Sequence, residues 1–285
     1  MTVSKPQISE HISNCFGAML THAEELYEFW AGTWDNVPKL AQFELGYKKE
    51  DVEWIGIDLL KGGNFDPEFL KINPNGTIPA LQVDGKSFVD SITSVKELIR
   101  LAPRPPPAPS VFDASLIAKI HEAGNIQSLS MDEAEHKDKS SGLLGGFFSE
   151  RQVALANLVN SAPAGLREFY TQKQAGDQEF FDFYCRNPDD CLGQCWRCHS
   201  GPITEALKRT KGPFAAGEVP GEADFHVVTW LSRTISNAGV APNASASIAI
   251  PQLEARTGGA SFDPVIAEYW DAWIVRPSFK ESNVF

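Results

Sequence analysis

The sequence predicts a chain in two parts: an α/β half with the element order β-α-β then β-β-α, followed by an all-helical half. Three observations predict it. Runs rich in aromatic and β-branched residues are separated by helical spacing up to Val89. A proline-rich stretch, Ala102 to Ser110, then interrupts the chain, and beyond it no strand alternation is found. At 285 residues and 42% hydrophobic content, the chain is long enough for one large or two ordinary domains with a normal core.

Residues 1–22 carry weak apolar signals around Ile12, Cys15, Phe16, Met19 and Leu20, and form an N-terminal extension laid on the fold. Leu26 to Trp30 is a first strand by its aromatic content, and Ala31 to Asn36 is a loop by composition. A helix starting near Val37-Pro38 follows, with proline at an early helical position and Asn36 able to cap it. Val52 to Leu59 reads as the second strand. In Asn73-Pro74-Asn75-Gly76-Thr77-Ile78-Pro79-Ala80-Leu81 a turn delivers the chain into a third strand, Ile78 to Val83. Pro79 stands where its missing N–H costs no ladder bond, and a cis peptide there can turn the Ile78 backbone outward. Asp84-Gly85 is a hairpin turn, and Ser87-Phe88-Val89 the returning strand. Ser91 then precedes Val95, Leu98 and Ile99 at helical spacing, and reads as an N-cap whose neighbouring free N–H groups can take an anion.

The division expected is an extension over 1–22, an α/β domain over 23–102, a stiff spacer over 103–110 and an all-helical domain over 111–285. Leu116, Ile120, Val153, Leu155, Leu158 and Val159 mark amphipathic helices. Asp132 to Ser149, charged and then glycine-rich, is a loop or an extended helix end. Asp224, three residues after Gly221 and directly before an apolar run, has the spacing of a helix-start capping box, with glycine where Ser or Thr would complete it.

The Asn73–Leu81 stretch and the Asp90-Ser91 pair resemble the thioredoxin-like half of glutathione transferases, with its N-P-x-G-x-(V/I)-P-A-L loop and acidic-Ser pair. Phe214 to Phe225 resembles the family's second-domain signature, and the resemblance spans roughly residues 24–275. It implies the glutathione transferase fold, a thioredoxin-like domain followed by a helical one, with glutathione as co-substrate. It implies that Ile78, before the cis proline Pro79, pairs its backbone with the cysteinyl part of glutathione, and that Asp90 and Ser91 hold the γ-glutamyl end. The thiol needs a donor in the loop after the first strand, where the family carries Tyr, Ser or Cys. Asp35 and Asn36 stand at that place here. A carboxylate would repel a thiolate, so Asn36 is the expected partner and Thr33 the reserve; an Asn there matches the branch resembling the yeast nitrogen-regulating transferase-like protein. Asn64 falls near a position that holds the glycyl carboxylate in relatives, Thr77 falls where a polar contact often sits, and Lys61 is a further option by charge.

The implied activity is attack of the glutathione thiolate on a small hydrophobic electrophile. The alternatives are double-bond isomerisation through a transient adduct and a regulatory protein that binds glutathione without turnover. The implied assembly is a closed two-fold homodimer.

A net charge of −12 and the lack of any Lys/Arg run argue against nucleic acid and anionic membranes as partners. Met1 to Ala23 lacks the apolar core of a signal peptide, so the expectation is a soluble, cytoplasmic protein without a disulfide framework. Cys185, Cys191, Cys195 and Cys198, with His199, lie within a short segment that suits a tetrahedral zinc site, redox-sensitive disulfides or free thiols. The C-x-x-C-H string for haem attachment is present too, but requires an exported setting. The family does not imply a metal.

Overall fold

The computed structural model describes residues 24–28, 32–104, 114–123, 133–163, 165–186, 200–259 and 261–282. The N-terminal extension, most of the proline-rich spacer and the cysteine cluster beyond the backbone of Cys185 lie outside the described residues.

Strands β1 (Glu24–Glu28), β2 (Val52–Gly56), β3 (Ala80–Val83) and β4 (Lys86–Phe88) form one sheet in the order β2-β1-β3-β4. β1 runs parallel to β2, with Leu26 opposite Trp54, and antiparallel to β3, with Leu26 opposite Leu81. Parallel neighbours need a crossover, which helix α1 (Asn36–Glu44) supplies; the antiparallel β3–β4 pair needs only Asp84-Gly85. Both of these residues have positive φ, 49° and 77°, as a two-residue turn matched to strand twist requires. Alternation along the strands covers both faces. Leu26, Leu81 and Val83 join the core under α1 and α3 (Ser91–Leu101), while Tyr27 and Ala80 pack with Phe69 of α2 (Pro67–Ile72) on the other face.

Several boundaries differ from the sequence reading. β1 starts at Glu24 and β2 stops at Gly56, because the chain then folds back so that Gly63 N–H donates to Asp58 O at 2.8 Å. β3 begins at Ala80, not Ile78, since Pro79 has no N–H to enter the ladder. The cap of α3 is Asp90, whose carboxylate accepts from Thr93 N–H at 2.7 Å; Ser91 is the first helical residue. Asn36 likewise opens α1 and does not cap it: the N-cap position is Asp35, with no side-chain cap bond.

Beyond the sheet, all regular elements among the described residues are helical: α4 (Ala114–Ala123), α5 (Glu133–Ser141), α6 (Leu143–Ser161), α7 (Arg167–Arg186), α8 (Glu222–Asn237), α9 (Ala246–Arg256), α10 (Pro264–Ile274) and α11 (Pro277–Glu281), with a helical stretch at 200–207. The charged, glycine-rich stretch from Asp132 is thus α5 and the start of α6 where described. Val153 of α6 is 63% exposed and Leu155 fully buried, so only the second is a core position. α6 and α7 cover the α2 side of the sheet half, where Tyr170 Oη donates to Phe65 O at 3.0 Å. No helix among the described residues is long and apolar enough to cross a membrane.

α8 is the hub. Its faces are buried nearly all round, and its Phe225, Val228, Trp230 and Leu231 share one core with Leu40 of α1, Leu98 of α3 and Ile120 of α4. Asp224, 0% exposed, fixes where it starts: its carboxylate accepts from Ala215 N–H (2.7 Å), Gly221 N–H (2.9 Å) and Ala216 N–H (3.1 Å). This is half a capping box, since Gly221 has no side chain to return the bond. Burial pushes the Asp224 carboxyl up to about 6 against the pull of these donors, which leaves it ionised at neutral pH. Asp224→Ala strands three N–H groups in the interior and is expected to cost about 3 kcal/mol or more, with Asp224→Asn costing less because one acceptor remains; urea unfolding of the two variants measures both.

Candidate functional site

The loop from Asn73 to Ile78 is wired by two buried amides. Asn73, fully buried, donates through Nδ2 to Thr77 O (2.6 Å) and Thr77 Oγ1 (3.0 Å), and its Oδ1 accepts from Asn75 N–H (3.0 Å). Asn64 Nδ2 donates to Gly76 O at 2.6 Å. Gly76 has φ 61°, and a Cβ there would meet the Phe65 ring at 3.0 Å, so glycine is required twice over. With the carbonyls of residues 76 and 77 tied back, Ile78 stands between the loop and the ladder that begins at Ala80, and the Ile78–Pro79 peptide is cis.

Beside this loop α3 presents its first turn. Thr93 N–H is taken by the Asp90 carboxylate and Ser94 N–H by Asp90 O, while Ser91 and Ile92 N–H precede the first intrahelical bond. Asp90 is exposed and Ser91 buried.

The loop between β1 and α1 carries Thr33, half-buried, and Asn36, buried. Asn36 Nδ2 donates to Gly32 O at 3.3 Å, and Asn36 N–H to Thr33 O at 3.3 Å, so the amide stays on the loop that it terminates.

Lys61 lies elsewhere: its ammonium pairs with Asp58 at 3.1 Å on the surface and lines a different groove with Val153 and Leu158. Asn64 is committed on both ends of its amide, because Oδ1 accepts from Arg151 Nη1 at 3.5 Å. Asn64, Thr77 and Ile78 all border a cavity of about 340 Å³ whose far wall is Leu144, Phe147, Phe148, Arg151 and Phe180 from α6 and α7.

Sequence reasoning missed Arg151. Its guanidinium pairs with Asp177 (2.9 Å), donates to Leu59 O (3.0 Å) and lies over the Phe65 and Phe147 rings, which joins both halves around the cavity. A Phe147-x3-Arg151 spacing on a helix was the available signal.

A second junction was also missed. Trp34, in the β1–α1 loop, stacks on His121 of α4 with centroids 3.8 Å apart and an interplanar angle of 22°. His121 Nε2 and His226 Nδ1 of α8 share a hydrogen bond of 2.8 Å, and the other nitrogen of His226 has no partner among the described residues. Burial holds His121 down to about 4, with the Asp90 charge opposing, and holds His226 well below its ordinary value, with His121 and Lys96 adding to the effect. Both imidazoles are therefore neutral near pH 7, one ring nitrogen donating and the other accepting. The unfolded chain protonates both near pH 6.5, whereas the folded chain protonates His121 only near 4 and holds His226 well below its ordinary value. In that window the unfolded state binds more protons, so stability falls as the pH drops from about 6.5 toward 4. Melting temperatures between pH 7.5 and 4.5 are expected to fall less steeply in His226→Gln than in the wild type.

Among the described residues no group of three His, Cys, Asp or Glu side chains is arranged to hold a metal ion.

Comparison with known proteins adds three findings. The family described as glutathione S-transferase, N-terminal domain, matches residues 25–95. Glutathione S-transferase Z1 of Arabidopsis thaliana is 41% identical over 86 residues, 30% of this chain and 37% of that protein. A zeta-class glutathione S-transferase of Euphorbia esula is 40% identical over 93 residues, 32% and 40% of the two chains. The match thus spans about two fifths of the length of these relatives, and the matched family domain covers the sheet and the start of α3. Among solved structures, the beta-etherase LigF from Sphingobium sp. strain SYK-6 has the same fold over 91% of this chain and 98% of its own, with a TM-score of 0.52 and 17% identity. The chain thus carries a region, residues 25–95, that matches the glutathione S-transferase N-terminal domain, joined to a helical half in the fold it shares with the beta-etherase.

Proposed function

We propose that the protein is a glutathione-dependent enzyme that activates the glutathione thiol for attack on a small electrophile. The observation that carries this reading is the placement of two backbone ends: Ile78, between the tied loop carbonyls and the ladder that begins at Ala80, and the first turn of α3, where Ser91 and Ile92 N–H precede the first intrahelical bond. An extended peptide can pair with the first, and a carboxylate suits the second, where the helix dipole and free donors favour negative charge. Asp90 adds a partner for an ammonium, since its side chain is exposed beside the same turn. These are the two ends of a γ-glutamyl-cysteinyl unit.

The electrophile is assigned to the 340 Å³ cavity, because it borders Thr77 and Ile78 and its aromatic wall from α6 and α7 favours an apolar body. Asn36 is assigned the thiol. Its bond to Gly32 O is long, at 3.3 Å, so its amide can turn to a better acceptor at little cost. Being neutral, it lowers a thiol pKa modestly.

Calorimetric titration with glutathione tests the binding reading. Because Asp90 is the cap of α3, Ser91→Ala is expected to weaken binding by ~1–3 kcal/mol without unravelling the helix, and unchanged affinity would remove this turn from the site. Asn36→Ala tests the chemistry: turnover of an electrophile such as chlorodinitrobenzene is expected to fall ~10–1000-fold while glutathione affinity stays near that of the wild type. A variant with wild-type turnover would pass the role to Thr33.

A further inference from the structure

We infer that His121 is a positioning residue for the reaction proposed above: it holds the thiol-facing loop in place through Trp34, and His226 sets its own orientation.

The geometry runs in one direction. Thr33, Trp34, Asp35 and Asn36 form a single turn, closed by Asn36 N–H to Thr33 O and Val37 N–H to Trp34 O, both at 3.3 Å. Both bonds are long, and outside the turn Trp34 packs against the main hydrophobic core. Trp34 is only partly buried, and the ring stacked on it belongs to His121, from the other half of the molecule. A near-parallel stack at 3.8 Å fixes both the height and the tilt of the indole.

An imidazole can rotate about its own side-chain torsions, and the bond to His226 removes that freedom. His226 is 0% exposed on the most buried helix of the fold, and the two rings meet edge to face at 4.9 Å. Two features separate this arrangement from ordinary core packing. Apolar side chains would fill the space without desolvating two rings, and His226 Nε2 is buried with no partner among the described residues, a cost that apolar packing would avoid. The bond between the rings is what the polar pair adds, and it is directional. α8, already fixed by Asp224, thereby sets α4's imidazole, and the imidazole sets the loop.

This inference rests on the proposed use of the β1–α1 loop, and the test separates the two. Four variants are compared with the wild type: His226→Leu breaks the bond, His226→Gln offers an amide in its place, His121→Phe keeps a ring on Trp34 without the bond, and Trp34→Phe removes the indole. The first readout does not depend on turnover. Subtracting the emission of Trp34→Phe from that of the wild type gives the Trp34 contribution, and the same subtraction in each histidine background reports its environment. His226→Leu is expected to change the Trp34 contribution and His226→Gln to restore it; an unchanged contribution in His226→Leu overturns the link from α8 to the loop. The second readout is kinetic. His226→Leu and His121→Phe are expected to lower kcat for chlorodinitrobenzene ~10–100-fold with the glutathione KM little changed, the signature of a misplaced reacting group, and His226→Gln to recover most of it. A loss of kcat that follows melting temperature across the variants, with no recovery in His226→Gln, overturns the positioning role. If the wild type itself fails to bind glutathione in calorimetry, the proposed function fails, and the emission comparison still decides whether the histidine pair controls Trp34.

Discussion

The Asp224 carboxylate is the contact on which the rest of the molecule depends. A charge with no solvent access is tolerable only when its acceptor sites are filled, and three backbone N–H groups from residues 215, 216 and 221 fill them. The result is that a tight loop and the first turn of α8 are fixed to one another. Because α8 is buried nearly all round, any axial shift would move Trp230, Phe225 and His226 against α1, α3 and α4 together. The position of the sheet half against the helical half is therefore set by where one helix begins.

The sheet half was legible because its shape is dictated by residue types with few backbone options. Pro79, Gly76 and the Asp84-Gly85 pair each allow little else than what they adopt, and the strand alternation of Leu26, Tyr27, Ala80 and Leu81 maps directly onto two covered faces. The errors there are of one to three residues at element ends, and have local causes. Proline cannot enter the ladder at 79, and an Asp-Ser pair offers two candidate caps of which the first, Asp90, has the longer reach to Thr93 N–H. The loop Asn73 was legible as a turn but not as the hub it is, because its three partners are set by how the turn closes.

The helical half was legible in class and little more. Its helices find their partners far along the chain: Arg151 meets Leu59 across 92 residues and His121 meets His226 across 105. A single histidine among apolar residues looks like any core histidine until its counterpart is known, and the same is true of an arginine inside an aromatic helix. The four closely spaced cysteines were the conspicuous feature of this half in the sequence, whereas the polar groups that meet the sheet half stand singly, with no spacing to announce them.

The end of the chain has its own bearing on how the molecule is made. Glu44, at the end of α1, accepts from Arg276 Nε at 2.7 Å and from Arg276 Nη2 at 2.6 Å, and Ser278 donates to the same carboxylate. Arg276 also lies over the Phe214 ring, and α11 packs Phe279 against Trp270. During synthesis, α1 is made 232 residues before the cation that neutralises Glu44 exists. The α1 face must therefore wait, with one carboxylate and its apolar neighbours uncovered, until Arg276 and α11 have been made, an interval in which exposed apolar surface favours aggregation.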